Sequence, residues 1–278
     1  MTRSASPTSP RKLILNLMRA AEGVPLTAAD AVRACGVLGI RENSVRVTLA
    51  RLSAQGLLAS SARGAYELGP GARHIAQALA SWRHAEDQVR PWAGNWIMVS
   101  TASMGRSDRT ALRQRERALA LLGLRDLEGG LHVRPDNLAG GASAIRERLR
   151  QLDLPAEIPV FAAMDFDPAL EARARALWDG KALAAAYART QRALKAWLAR
   201  AHELPLEVAA RECYLLGDDA IRQLVYDPLL PEPLVDTAQR HAFTQTVVAF
   251  EDAGRQIWRE FLPGLRSETC GAHTLALA

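Results

Sequence analysis

Residues 41–58 read RENSVRVTLARLSAQGLL. At helical spacing, Val45, Leu49 and Leu52 share one face, while Asn43, Ser44, Arg46, Val47 and Arg51 share the other. A helix that only fills a core has no use for the second face. Upstream, residues 11–22 (RKLILNLMRAAE) predict a short amphipathic helix with Leu13, Leu17 and Ala20 inward, ended by Gly23 and Pro25. Thr27 starts a second helix, TAADAVRACG, with Asp30 three residues on as an acidic form of the capping box. The turn VLGI leads into the third helix, which Gly56 ends. LLASSARGAYELG then predicts a hairpin, with a polar turn at Arg63-Gly64 and a strand that points Tyr66 and Leu68 inward. Helix, helix, turn, helix, hairpin is the order of a winged helix-turn-helix.

The pattern changes after residue 69. Residues 70–90 read as a linker helix that Pro91 breaks. NWIMVST (95–101) predicts a strand. Residues 106–124 predict an amphipathic helix with Leu112, Leu119 and Leu122 on its apolar side. Residues 127–137 (LEGGLHVRPDN) read as one strand, 142–152 as a helix and 158–166 as a strand. Strand, helix, strand, helix, strand suggests a ferredoxin-like α+β domain. From residue 168 the pattern is helical, over 168–202, 206–224 and 234–262, with breaks at Gly180, Pro205 and DPLLPEP (227–233). The expected organisation is α+β and multidomain: a disordered arm (1–10), a winged helix-turn-helix (11–69), a linker helix (70–91), a ferredoxin-like domain for dimerisation and effector binding (92–167), and a helical C-terminal domain (168–278).

Charge sharpens the reading of the first domain. The 278 residues carry a net charge of +5. Residues 1–68 hold nine basic and four acidic side chains, so the whole excess sits there. A basic module on a near-neutral body suggests a polyanionic partner such as DNA. The bias to arginine, with only three lysines, runs through all domains and decides nothing. No apolar run is long enough to span a bilayer, and the N-terminus lacks the apolar centre of a secretory signal. Three scattered cysteines (Cys35, Cys213, Cys270) offer no disulfide framework or zinc site and fit a reducing cytosol. The expectation is a cytoplasmic protein without membrane partners.

In a winged helix-turn-helix the third helix enters the major groove. Asn43, Ser44 and Arg46 lie in its first turn and a half, closest to base edges. Arginine pairs bidentately with guanine and asparagine with adenine, and Val47 can meet a thymine methyl. Arg51, farther along, fits a phosphate. Arg63 at the hairpin tip is placed for the backbone or minor groove. Arg11 and Lys12 are expected to add affinity and salt dependence through phosphates.

No catalytic motif is present: no G-x-S-x-G, H-E-x-x-H, P-loop or G-x-G-x-x-G. The six histidines are scattered. His132 reads as a partly buried structural residue. Asp165 and Asp167 end a strand, and Asp167-Pro168 reads as the N-cap and first residue of the next helix. The expectation is a non-enzyme without cofactor or metal.

Three stretches resemble the PaaX family, repressors of phenylacetic acid degradation operons. They are ENSVRVTLARLSAQGLL with its hairpin RGAYELG, RTALRQRERALALLGLRDLEGGLHVRPDN, and QLVYDPLLPEPLV before a final helix that carries Trp258. The resemblance covers about residues 11 to 262. It implies a winged-helix N-domain, a ferredoxin-like (Cas2-like) central domain, a helical C-domain, a homodimer on an inverted-repeat double-stranded operator, and release by a small-molecule effector, phenylacetyl-CoA or another acyl-CoA. Two departures stand out: Arg41 occupies a position where a small N-capping residue is common, and AIRQLVY precedes DPLLP without the more polar His- and Arg-containing stretch associated with the family. A CoA thioester needs cations for its phosphates and an apolar slot for its acyl group. Arg106, Arg109, Arg113 and Arg134 are candidates for the first. Trp96 leads the candidates for the second, with Trp178, Trp197 and Trp258. The alternatives are a regulator with an unrelated effector and a metal-dependent nuclease of Cas2-like type, the latter using Asp165 and Asp167.

Overall fold

The computed structural model describes residues 9–21, 24–62, 64–72, 81–105 and 107–262. The fold is mixed α+β, with two small antiparallel sheets and a helical C-terminal region. Two compact units divide the chain. One takes residues up to Ser81 together with Leu194–Asp218 and the chain from Val248 onward; the other takes Trp82–Ala193 and Asp219–Val247.

The first unit opens with α1 (Pro10–Ala20), β1 (Leu26–Thr27), α2 (Ala28–Gly36), α3 (Glu42–Ala54), β2 (Leu58–Ala62) and β3 (Ala65–Leu68). Thr27 caps α2 reciprocally: its hydroxyl accepts from the Asp30 amide at 3.0 Å and donates to the Asp30 carboxylate at 2.7 Å. Leu13, Ile14, Leu17, Leu26, Val45, Leu49 and Leu52 are buried together with Cys35, and α3 packs on α1 and α2. The strands pair in the order β1-β3-β2. β1 was not expected from the sequence, because two residues carry no alternation to read.

The second unit holds β4 (Trp96–Ser100), α4 (Arg109–Leu121), β5 (Arg125–Glu128), β6 (Leu131–Pro135), α5 (Gly141–Gln151) and β7 (Val160–Ala163). The sheet order is β5-β6-β4-β7, all antiparallel. The segment read as one strand over 127–137 is a hairpin, turned by Gly129 and Gly130, both at positive φ (58° and 91°). Ile97 and Val99 of β4 face the helices, where they join Leu119, Leu122, Ile145, Leu149 and Val160 in one core. The expected linker helix does not extend over 81–90. Two 3₁₀ turns, Ser81–His84 and Glu86–Gln88, stand there. The Arg90 amide donates to the Asn137 carbonyl and the Gln88 carbonyl accepts from Ala139, and these bonds pull the chain out of the helical path. Residues 73–80, the centre of that predicted helix, lie outside the described residues, as does most of the predicted N-terminal arm.

α6 (Pro168–Arg175) follows, with the Asp167 carboxylate accepting from the Ala169 and Leu170 amides at 2.9 and 3.0 Å. Asp167 and Pro168 therefore open a helix as expected. The long helices α7 (Gly180–Arg200), α8 (Leu206–Val225) and α9 (Thr237–Phe261) complete the chain. Gly180 is required where it stands, since a Cβ there would sit 1.9 Å from the Leu234 carbonyl oxygen. Among the described residues no helix is long and apolar enough to cross a membrane.

Candidate nucleic-acid interface

The two faces of α3 separate as the spacing predicts. Val45, Leu49 and Leu52 are buried, whereas Asn43, Ser44, Arg46, Val47 and Arg51 are all exposed. Val47 is 41% exposed, which for a valine is an apolar group held in water by the fold around it. Arg46 pairs with Glu42 one turn earlier at 2.7 Å, both ends more than half exposed. Such a pair contributes only about 0.3–0.5 kcal/mol, so a base or phosphate can displace Glu42 at small cost.

Arg41 stands at the N-cap of α3 and makes no side-chain cap. The Ser44 amide bonds back to the Arg41 carbonyl at 3.0 Å, and an anion is favoured at a helix start. The residue that looked out of place in the sequence thus leaves the start of α3 without a side-chain cap, beside Asn43 and Ser44.

Around this helix, Arg11 is exposed and donates to Gln55 at 2.9 Å. Lys12 is held by Asp218 at 2.6 Å, so its charge is shared with a carboxylate on α8. Arg63 lies outside the described residues. A second tether joins α1 to α9, where Arg19 pairs with Glu251 at 3.2 Å. Arg33 of α2 sits over the Phe261 ring at 4.7 Å from its centroid.

The candidate effector residues are not brought together as a set. Arg109 and Arg113 are exposed on α4, and Arg106 lies outside the described residues. Arg134 is buried, and its guanidinium is committed to the fold: it donates to the carbonyls of Leu122, Pro135 (3.2 Å) and Pro228 (3.3 Å) and to the Asn137 side chain (3.1 Å). Burial pushes its pKa down to about 10. Trp96 is fully buried, with its indole N–H donating to Glu171 at 2.7 Å. Trp178 and Phe166 lie near-parallel to Trp96 at about 6 Å between centroids. Trp197 packs on Phe250, and Trp258 on Phe261.

Sequence reasoning missed what the RPDN and DPLLP segments do for each other. Asn137 donates to the Leu229 carbonyl at 2.7 Å while Arg134 reaches Pro228, so the end of β6 is latched to the loop before α9. Gly123, at φ +69°, lets that loop approach, and a Cβ there would lie 2.9 Å from the Pro228 Cα. Asp227 accepts from the Tyr187 hydroxyl at 2.5 Å and from the Leu229 amide at 2.8 Å. Arg240 donates to the Leu230 carbonyl at 2.6 Å and pairs with Glu86 at 3.4 Å. Asp165 is at φ 58° and Asp167 is spent on its cap. Among the described residues no three His, Cys, Asp or Glu side chains group to hold a metal. Cys35 and Cys213 are buried, which pushes both thiols up to about 12; Cys270 lies outside the described residues.

Comparison with known proteins adds three findings. No curated protein matches the chain. Among solved structures, an uncharacterized protein, Rv0674, from Mycobacterium tuberculosis shares its fold: the TM-score is 0.59 at 24% identity, over 91% of this chain and 100% of that one. Residues 178–260, which include DPLLP, match the PaaX-like protein C-terminal domain. The match covers the third of the three stretches read from the sequence, and residues 178–260 are similar to the C-terminal domain of PaaX-like proteins.

Proposed function

We propose that this protein is a DNA-binding transcriptional regulator, a homodimeric repressor released by a small-molecule effector. PaaX-like proteins are generally regulators, and the observation that carries the reading to this chain is α3. Its inner face is closed in a core, and its outer face holds Asn43, Ser44, Arg46, Val47 and Arg51 in solvent. On this reading the segment from α1 to β3 is a winged helix-turn-helix, supported by the element order and by the small antiparallel sheet β1-β3-β2. The segment from β4 to β7 is a ferredoxin-like domain, supported by its β-α-β-β-α-β order and by the strand order β5-β6-β4-β7.

Asn43, Ser44, Arg46 and Val47 read bases, while Arg51, Arg11 and Lys12 meet phosphates. Arg63 would add a contact from the hairpin. Lys12 must leave Asp218 to do so. Two copies would read an inverted repeat with half-sites a whole number of helical turns apart. An aryl-CoA thioester is the proposed effector, and it works only by binding the DNA-free state more tightly than the bound one. Arg109 and Arg113 remain candidates for its phosphates. The protein acts in the cytoplasm and catalyses nothing on this reading.

The test is fluorescence anisotropy with DNA from the gene's own upstream region, across a salt series, with and without phenylacetyl-CoA. Specific, salt-sensitive binding that the thioester abolishes is expected. Specific binding that ignores the thioester would keep the regulator and remove the inducer. Equal binding to the upstream DNA and to random DNA would remove the regulator on that promoter.

A further inference from the structure

The sheet of the second unit has two edge strands, β5 and β7, and they differ. An edge strand offers unpaired N–H and C=O groups to any other strand, and folded proteins guard it with charge, irregularity or cover. β5 is guarded. Arg125, Asp126 and Glu128 are exposed along it, its register with β6 shifts between Asp126 and Glu128, and Arg173 pairs with Glu128 at 3.1 Å. β7 is not. Residues 158–164 (IPVFAAM) carry no charge. Phe161 is 46% exposed and Met164 61%, the two highest values for large hydrophobic side chains among the described residues.

The register shows which groups β7 leaves open. The Ser100 amide donates to the Pro159 carbonyl at 3.0 Å, and Phe161 and Ala163 stand opposite Met98 and Trp96. Along an antiparallel pair, hydrogen-bonded and non-bonded positions alternate. Phe161 and Ala163, like Pro159 before them, therefore turn their backbone groups toward β4, while Val160 and Ala162 turn theirs outward. The Arg146 guanidinium of α5 donates to the Val160 carbonyl at 2.7 Å and so marks one end of the open edge. Exposed Asp165 marks the other. Among the described residues neither Arg146 nor Asp165 belongs to an ion pair.

We propose that β7 is the interface between two copies of this chain, with the two β7 edges paired antiparallel about a two-fold axis at Ala162 so that their sheets become continuous. In that register the two Ala162 residues exchange N–H to C=O bonds. Phe161 of each copy stands opposite Ala163 of the other, large against small, at a position where side chains come closest. Val160 stands opposite Met164, so Asp165 of one copy reaches the end where Arg146 of the other sits. The two ends of the edge are thus opposite in charge and its middle has none, which is what a self-complementary two-fold contact needs. The inference rests on the homodimeric reading above and names where the second copy sits.

The experiment is sedimentation equilibrium of the full chain without DNA, over a range of concentrations. The natural protein should sediment with the mass of two chains. Phe161→Glu should weaken dimerisation at least about ten-fold. Asp165→Arg, which sets like charges against Arg146, should also weaken it, and adding Arg146→Asp should recover part of that loss. Arg125→Glu, on the guarded edge, should leave the dimer unchanged. If circular dichroism shows that Phe161→Glu does not fold, the charge swap decides. A single-chain mass for the natural protein at every concentration, a dimer that both Phe161→Glu and Asp165→Arg leave intact, or a charge swap that recovers nothing overturns the proposal. No DNA enters this measurement. A single chain that still binds its operator would leave the regulator standing without this interface, and a dimer that β7 variants break but that binds no operator would leave the interface and remove the regulator.

Discussion

Asn137→Ala breaks the latch between β6 and the loop before α9. Asn137 is fully buried. Its amide donates to the Leu229 carbonyl at 2.7 Å, and its oxygen accepts from Arg134 at 3.1 Å. Alanine strands both partners. A buried polar group left without its partner costs about 1–3 kcal/mol. The Leu229 carbonyl bears the full cost, while Arg134 Nη2 keeps the Pro228 carbonyl at 3.3 Å and sits at the low end. The expected loss is therefore roughly 2–4 kcal/mol. Urea unfolding gives the total, and amide exchange in β4 and β6 assigns it to this unit, because a chain with two units need not unfold in one step. Asn43→Ala, on an exposed helix face, serves as the control and should stay within about 0.5 kcal/mol. A loss for Asn137→Ala no larger than that of the control would refute the latch and with it the structural role given to Arg134.

Other substitutions test neighbouring claims. Gly123→Ala combines a left-handed backbone, about 1–2 kcal/mol, with an overlap against Pro228, about 1–3 kcal/mol; thermal unfolding should show a large fall, and an unchanged midpoint would contradict the close approach. Thr27→Ala removes the α2 cap and should lower stability by about 1 kcal/mol in chemical denaturation. Burial, partly offset by the Gly130 carbonyl, holds the His132 pKa below the ordinary histidine range. The unfolded chain then binds the proton first, so stability falls as pH drops below about 6.5, the unfolded value, and goes on falling to the folded one. His132→Asn should flatten that slope, and an equal slope in both proteins would show that another group sets it.

Much of the first unit is legible in the sequence because each element announces itself locally. The faces of α3 follow from spacing alone, and Thr27 with Asp30, like Asp167 with Pro168, marks a helix start by its own side-chain chemistry. What escapes is set by partners far along the chain. Residues 81–90 leave the helical path because Gln88 and Arg90 bond to residues 139 and 137. The hairpin at 125–135 was written in Gly129-Gly130, a turn signal inside what looked like one strand. Arg134 looked like a ligand for phosphates because an arginine's sequence neighbours do not reveal that carbonyls from residues 122 and 228 will surround it.

The central claim, that α3 reads DNA, is met most directly by comparing Arg46→Ala with the natural protein on an operator selected from random DNA. Among the described residues Arg46 pairs only with Glu42, on an exposed face, so the variant should fold with a stability within about 0.5 kcal/mol of the original. Anisotropy titrations on the selected operator should show a loss of roughly 1–3 kcal/mol of binding, with little change on scrambled DNA. An unchanged affinity would remove Arg46 from the readout, and a selection that enriches no sequence would contradict the account itself.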